Sequence, residues 1–251
     1  MSQYKTTAIV LRTYDFKDYD KIVVLYSKEY GIIRAIAKGV KKQRSQFNGK
    51  LEPTISSKFI LYKGKNLDIV NECDVIESFK GIRSSLKKLT FSLCYLELAS
   101  AFGIEEDPNS EIYYDFLFDS LKKLELYDEN SLIEKLLVEF EYNIISAAGY
   151  TPVFDTCNNC RKPIEESEYI SFSSGFGMTI CPECSRNISN LSDLSLGLYR
   201  YLRSLASNSS SNTNIDLITV TKAYSLLFDY ISTKTNHKLK TPKLIESLCL
   251  S

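Results

Sequence analysis

Four cysteines stand as two Cys-x-x-Cys pairs, Cys157/Cys160 and Cys181/Cys184, with twenty residues between the pairs. Two intervening residues let a tight knuckle aim both sulfurs at one ion, and a second knuckle completes the four-thiolate tetrahedron that Zn²⁺ accepts. The stretch between the pairs carries Gly175, Gly177 and an Ile170-Ser171-Phe172-Ser173 alternation, enough for a short hairpin that brings the knuckles together. A Cys₄ set leaves no open coordination position, so the spacing predicts one structural zinc per chain rather than a catalytic metal. A redox dithiol and a pair of disulfides are the alternative uses of the same residues. The other cysteines, Cys73, Cys94 and Cys249, show no partner spacing, and an odd total of seven does not resemble a secreted disulfide framework.

The N-terminus has no basic-then-apolar signal pattern, and nowhere do eighteen apolar residues run together. A soluble, cytoplasmic protein with no membrane partner is expected. At 251 residues and 44% apolar composition, the chain can bury a full core and hold two or three domains. Its zero net charge conceals a strong asymmetry. Residues 1–80 carry 15 Lys and Arg against 9 Asp and Glu, a net of +6. Residues 81–156 carry 6 against 14, a net of −8, and residues 157–251 carry 10 against 8, a net of +2. A basic module therefore sits beside an acidic one.

The basic module reads as β structure. Thr7–Arg12, Lys21–Tyr26, Ile32–Ala37, Ile55–Tyr62 and Leu67–Val75 are short apolar, β-branched runs separated by polar or glycine-containing stretches. Five short strands suit a five-stranded OB-type barrel, with another small barrel or a half-open sandwich as alternatives. After Gly81 the apolar period changes to three and four residues at Leu86, Leu89, Leu93, Leu96 and Phe102. Tyr113–Leu126, Leu132–Ala148, Leu191–Leu205 and Leu217–Ser232 continue it. Asn130-Ser131 can cap the Leu132 helix, with Glu134 completing a capping box, and Gly149 and Pro152 end it. Ser207–Asn214 is a polar loop. The expected fold is α+β and multidomain: a barrel over residues 1–80 and a helical domain over 81–251, interrupted by a zinc ribbon at about 154–187.

No nucleophile–base constellation emerges. The single histidine, His237, lies in a polar, basic stretch, and Lys63-Gly64-Lys65-Asn66 lacks the spacing of a phosphate-binding loop. Asp18/Asp20 and Glu105/Glu106/Asp107 read as solvated loop charges. The strongest binding signal is Ala37–Phe47, which presents Lys38, Lys41, Lys42 and Arg44 around Gly39, with Lys50 shortly after. Cations on a barrel loop can track phosphates and release counterions, giving salt-sensitive, sequence-tolerant affinity for nucleic acid. Phe47, Tyr14, Tyr19 and Tyr62 are available as stacking faces for unpaired bases, although core packing competes for all four.

Several stretches taken together resemble the RecO family of bacterial recombination mediators, which are DNA repair proteins. They are Ala8–Tyr14, Gly31–Gly39 continuing to Ser45-Gln46-Phe47 and Leu51-Glu52-Pro53, and Gly149-Tyr150-Thr151-Pro152 leading into Cys157–Cys160. The resemblance spans Thr6 to about Ile245. It implies an N-terminal OB domain, a helical domain and an embedded zinc ribbon. It also implies binding of single- and double-stranded DNA, annealing of complementary strands, and partnership with RecR. Action on strands coated by single-stranded-DNA-binding protein (SSB) and help with RecA loading belong to the same picture, with RecF and the RecA filament as further partners and the nucleoid as location. Cys157, Cys160, Cys181 and Cys184 match the family's zinc positions, and Lys38, Lys41, Lys42 and Arg44 match its basic stretch. The SSB tail is expected on the helical domain, where Arg200, Arg203 and the Lys238, Lys240, Lys243 cluster are the available cations. The chain departs from the family's usual pattern at Lys17-Asp18 and at Lys240-Thr241-Pro242. A zinc-containing OB scaffold that binds proteins without annealing is the alternative, and a nuclease or thiol oxidoreductase is a third reading.

Overall fold

The computed structural model describes residues 2–128, 131–166, 170–207, 215–235, 238–241 and 244–245. Asn130, most of the polar loop, His237, Pro242, Lys243 and Cys249 lie outside them. The described residues form two compact units: one runs to Tyr127 and takes in those from Lys240 onward, and the other spans Asp128–Leu239.

In the first unit, β1 (Gln3–Phe16), β2 (Asp20–Ser27), β3 (Gly31–Ala37), β4 (Ser56–Tyr62) and β5 (Asp68–Glu77) close into a barrel in the order β1-β2-β3-β5-β4. All neighbours are antiparallel except β3 and β5. The closed five-stranded, OB-like arrangement agrees with the sequence expectation. Strand β1 outruns the expected Thr7–Arg12 at both ends because it serves two partners. Gln3–Ile9 pairs with β4, and Ala8–Phe16 pairs with β2. The register shifts between Val10 and Arg12, and there Val10 N–H donates to the Ile55 carbonyl (2.9 Å) while its carbonyl accepts from Thr54 N–H (2.9 Å). A bulge of this kind bends the strand and allows the sheet to close.

Alternation then sorts the side chains. Ala8 and Val10, Val23 and Leu25, Ile33, Ala35 and Ala37, Phe59 and Leu61, and Val70 point inward into one core. Phe47 and Leu51, from the turn-rich segment between β3 and β4, join that core. Gly31, at φ +68°, lies where an added Cβ would come within 2.3 Å of the Ile104 carbonyl oxygen, so no larger residue fits. Helices α1 (Lys80–Arg83), α2 (Leu86–Phe102), capped by the Ser85 hydroxyl, and α3 (Ser110–Leu126) belong to the same unit. Helix α3 is fastened to the barrel by Ser110 Oγ donating to the Lys28 carbonyl (2.8 Å), by Ser56 and Tyr114 hydroxyls (2.7 Å), and by Lys28 on Asp115 (2.9 Å).

The second unit packs α4 (Glu134–Ala147) against α7 (Leu217–Lys234), with α6 (Leu196–Ala206) beside α7. A three-stranded sheet of β6 (Ile170–Ser173), β7 (Met178–Ile180) and β8 (Ser192–Leu194), in the order β7-β6-β8, carries the cysteines together with the short α5 (Pro182–Ser185). An aromatic series fastens this ribbon to the helices: Tyr142–Phe154 at 6.4 Å between ring centroids, Phe154–Phe172 at 5.7 Å and Phe172–Tyr230 at 6.1 Å. At Gly177 a Cβ would lie 2.2 Å from the Tyr230 ring, so the hairpin can approach α7 only with glycine there.

Two local expectations fail. The helix expected from Leu191 begins at Leu196, because Ser192–Leu194 pair with β6 and the Ser195 hydroxyl caps the helix by accepting from Leu198 N–H. The capping box before α4 does not form: the N-cap is Ile133, without a side-chain hydrogen bond, and Glu134 is buried in the first turn.

Two outcomes follow from the packing. Phe47→Ala should destabilise the first unit by about 3–5 kcal/mol, read by denaturant unfolding, since Phe47 is only 4% exposed. Glu141 on α4 is fully buried, with neither carboxylate oxygen hydrogen-bonded among the described residues, and burial raises its carboxyl well above the usual range. The folded state thus keeps this proton to higher pH than the unfolded state, so its contribution to stability is lost as pH rises above the unfolded value. The thermal midpoint of Glu141→Gln should gain on the parent as pH rises above about 5; parallel curves would refute this.

Candidate nucleic-acid interface and metal centre

The basic segment leaves β3 at Lys38 and folds as successive turns, with Lys42 N–H donating to Gly39 O, Ser45 N–H to Lys42 O and Lys50 N–H to Phe47 O. It is docked on the β1–β2 turn. Gly39 N–H donates to Asp20 Oδ1 (2.9 Å), Lys41 N–H donates to the Tyr19 carbonyl (3.1 Å), and the Lys41 ammonium pairs with Asp15 (2.8 Å). That ammonium, through its hydrogen bond, holds the Asp15 carboxyl below the usual carboxylate range. Phe47 anchors the other end of the segment in the barrel core.

The five predicted cations separate into two groups. Lys38, Lys42 and Arg44 are exposed and have no carboxylate partner among the described residues. Lys41 is spent on Asp15, and Lys50 Nζ donates to the Cys73 carbonyl (3.1 Å), so both hold the loop to the barrel. Of the aromatic candidates, Phe47 is core, Tyr62 is half-buried, and Tyr14 and Tyr19 are exposed. Arg12 and Lys17 extend the basic region, a contribution sequence reasoning overlooked. The available signal was the β alternation, which puts Arg12 and Tyr14 on the same outer face of β1.

Of the acidic groups, Asp18, Glu105 and Glu106 are exposed as expected, whereas Asp20 and Asp107 have structural partners. Asp20 holds the loop, Asp107 accepts from the Tyr26 hydroxyl (3.3 Å) and the Asn109 N–H (2.8 Å), and Glu105 pairs with Arg34. On α6, Arg200 and Arg203 share Glu166, at 2.6 and 3.9 Å. The Lys240 backbone N–H donates to Glu97 (2.9 Å).

The four cysteines converge as their spacing requires. Cys157, Cys160, Cys181 and Cys184 place their sulfurs within 4.8 Å of one another and can hold one metal ion. The β6–β7 pairing, Ser171 opposite Ile180, brings the second knuckle to the first, and Asn158 N–H donates to the Thr179 carbonyl (3.0 Å) to lock them. Arg161, at φ +62°, turns the chain back so that Cys157 N–H reaches the Lys162 carbonyl (2.9 Å). Cys181 is the N-cap of α5, with Pro182 at its first position.

Sulfur–sulfur geometry fits a tetrahedral thiolate site. The Cys160–Cys181 separation is 3.8 Å, close to the edge of about 3.8 Å expected for Zn–S bonds of about 2.3 Å. Burial pushes the Cys157 thiol up, but the backbone N–H groups of Cys160, Cys181 and Asn159 outweigh it and bring it down to about 6. Burial and the neighbouring sulfurs push Cys181 up to about 12. A dication would relieve that crowding by favouring all four thiolates. Asn159 Nδ2 donates to Cys184 Sγ (3.2 Å) and steadies the second pair.

Residues 1–79 match the family described as Recombination protein O N terminal, and residues 83–243 match Recombination protein O C terminal. A protein named DNA repair protein RecO from Pelotomaculum thermopropionicum is 34% identical over 205 residues, covering 82% of this chain and 77% of that protein. Proteins of the same name from Clostridium kluyveri and Clostridium novyi are 31% and 29% identical, covering 98% and 99% of this chain and 94% and 95% of their own lengths. The chain belongs to the RecO family of DNA repair proteins.

Proposed function

We propose that the chain is a non-enzymatic recombination mediator whose barrel, residues 1–80, binds DNA through the loop after β3. The observation that carries this reading is the exposed trio Lys38, Lys42 and Arg44, without carboxylate partners among the described residues, on a loop tied down at Gly39, Lys41, Phe47 and Lys50. A held loop loses little entropy on binding, so its cations meet phosphates at small cost. Annealing needs no bond chemistry. Two strands approach when protein cations neutralise both backbones, and base pairing then supplies the free energy. The helical domain, residues 81–251, is assigned to protein partners: SSB, RecR, RecF and the RecA filament. Help with RecA loading on SSB-coated DNA, and a cytoplasmic, nucleoid-associated location, complete the reading. No helix among the described residues is long and apolar enough to cross a membrane.

Zinc is the metal that suits four thiolates in a closed set, and we assign it to Cys157, Cys160, Cys181 and Cys184 as a structural ion. When bound it supplies cross-linking of the two knuckles and no reacting position.

Annealing of complementary SSB-coated strands, with and without RecR, tests the functional reading directly; no acceleration in either case would refute it. Reversal of Lys38, Lys42 and Arg44 to Glu should remove most single-strand affinity. It should also flatten the dependence of log affinity on log salt by about 2, as three lost phosphate contacts require. Lys41→Glu should act differently, by loosening the loop from Asp15, and should therefore increase proteolysis within residues 38–55. Metal analysis should return one zinc per chain. Cys157→Ser with Cys160→Ser should lose the metal and lower the thermal midpoint, leaving single-strand affinity within about twofold. DNA binding lost at an unchanged midpoint would overturn the structural role.

A further inference from the structure

The β1–β2 turn that receives the basic loop has a composition that turn formation does not require. Turns favour Gly, Asn, Asp and Ser; beside Asp18, which fits that rule, this one places Lys17 at φ +53° and Tyr19, which do not. The Tyr19 side chain, in the turn, is 57% exposed and Tyr14, on the outer face of β1, is 47% exposed, so neither ring contributes fully to a core. Each has a cation against it. Lys42 Nζ lies 5.8 Å from the Tyr19 centroid, and the Arg12 guanidinium carbon lies 5.5 Å from the Tyr14 centroid. Lys17 Nζ stands 5.4 Å from the Phe16 ring in the same turn. Each cation lies over one face of its ring, and the exposure of both tyrosines shows that the rest of the ring stays open to solvent.

The backbone under Tyr19 is fixed as well. Its carbonyl accepts from Lys41 N–H, and the next residue, Asp20, accepts from Gly39 N–H. The backbone that carries the ring is therefore held between the turn and the loop. A ring face beside a cation matches the two parts of an unpaired nucleotide, whose base stacks and whose phosphate is anionic. A duplex offers the same phosphates but keeps its bases stacked internally and unavailable.

We infer that Tyr19, together with Tyr14, is a base-stacking platform that makes this end of the barrel favour unpaired over paired DNA. The inference rests on the proposed reading that this end of the barrel is the DNA site, and adds the basis of its strand preference. In annealing, such a platform holds a strand while it is unpaired and loses its stacking contacts as the bases enter a duplex, favouring release of the product.

The test titrates the full-length protein with a fluorescently labelled oligothymidine and with a duplex of equal length at the same salt. Tyr14→Ala with Tyr19→Ala should weaken single-strand binding by about 5- to 150-fold, the range that one base–aromatic stack commands. Duplex binding should stay within about twofold, and Tyr19→Phe should bind both like the parent. Equal losses on both DNAs would overturn the inference, since the tyrosines would then act by positioning Lys42 and Arg12; so would unchanged single-strand binding.

The chain contains no tryptophan, so Tyr19→Trp creates a single reporter. Its emission should be quenched by the oligothymidine and unaffected by the duplex; no quenching at saturation would overturn the inference. The Lys38, Lys42 and Arg44 reversal, run alongside, separates the two ideas. If that variant binds normally while the alanine pair loses single-strand affinity, the loop reading fails and the stacking platform stands.

Discussion

Closure of the barrel depends on β1 pairing with two strands at once. Its first half completes the edge of β4 and its second half the edge of β2, with the bulge at Val10–Arg12 as the pivot. Without that division the sheet would be open, with unpaired edges. The same bulge receives Thr54 and Ile55, the end of the segment that follows β3. The start of that segment is held on the β1–β2 turn by Gly39 and Lys41. One strand thus supports closure, the entry of Phe47 into the core and the position of the basic loop. Lys38, Lys42 and Arg44 face solvent because Lys41, Phe47 and Lys50 are occupied elsewhere.

The ribbon in the second unit relies on two unlike attachments. Four sulfurs gather the knuckles around one point, while Phe154 and Phe172 bridge Tyr142 on α4 and Tyr230 on α7. Thiolates alone repel, which is why burial and sulfur crowding raise Cys181 even as backbone donors lower Cys157. The aromatic series carries no charge and holds the sheet to the helices without calling on any metal. Gly177 permits the closest approach between the two.

Much of this architecture was legible because periodicity is a direct consequence of burial. Alternating runs marked all five barrel strands, and the change to steps of three and four marked α2, α3, α4 and α7. The cysteine spacing located the ribbon. Failures occurred where a short segment had two physical options. Ser192–Leu194 are apolar and polar in a pattern compatible with the start of a helix, yet pairing with β6 satisfies their backbone and moves the helix start to Leu196. Ser131 and Glu134 fit a cap by spacing, yet the N-cap position is taken by Ile133.

The candidate site was legible by composition and not by role. A run of Lys and Arg after Gly39 is visible in any reading, as is the presence of tyrosines in the preceding hairpin. Which cation meets Asp15, which donates to Cys73 and which remains exposed depends on residues distant along the chain that barrel closure brings alongside. By itself the sequence determined the strand and helix periods, the charge asymmetry and a four-thiolate donor set, since each follows from residue type at fixed spacing. Only the tertiary structure decided that Phe47 is a plug, that Lys41 and Lys50 are fasteners and that Tyr19 lies against Lys42. Burial and ion pairing are properties of neighbours in space, and closing the barrel is what chooses those neighbours.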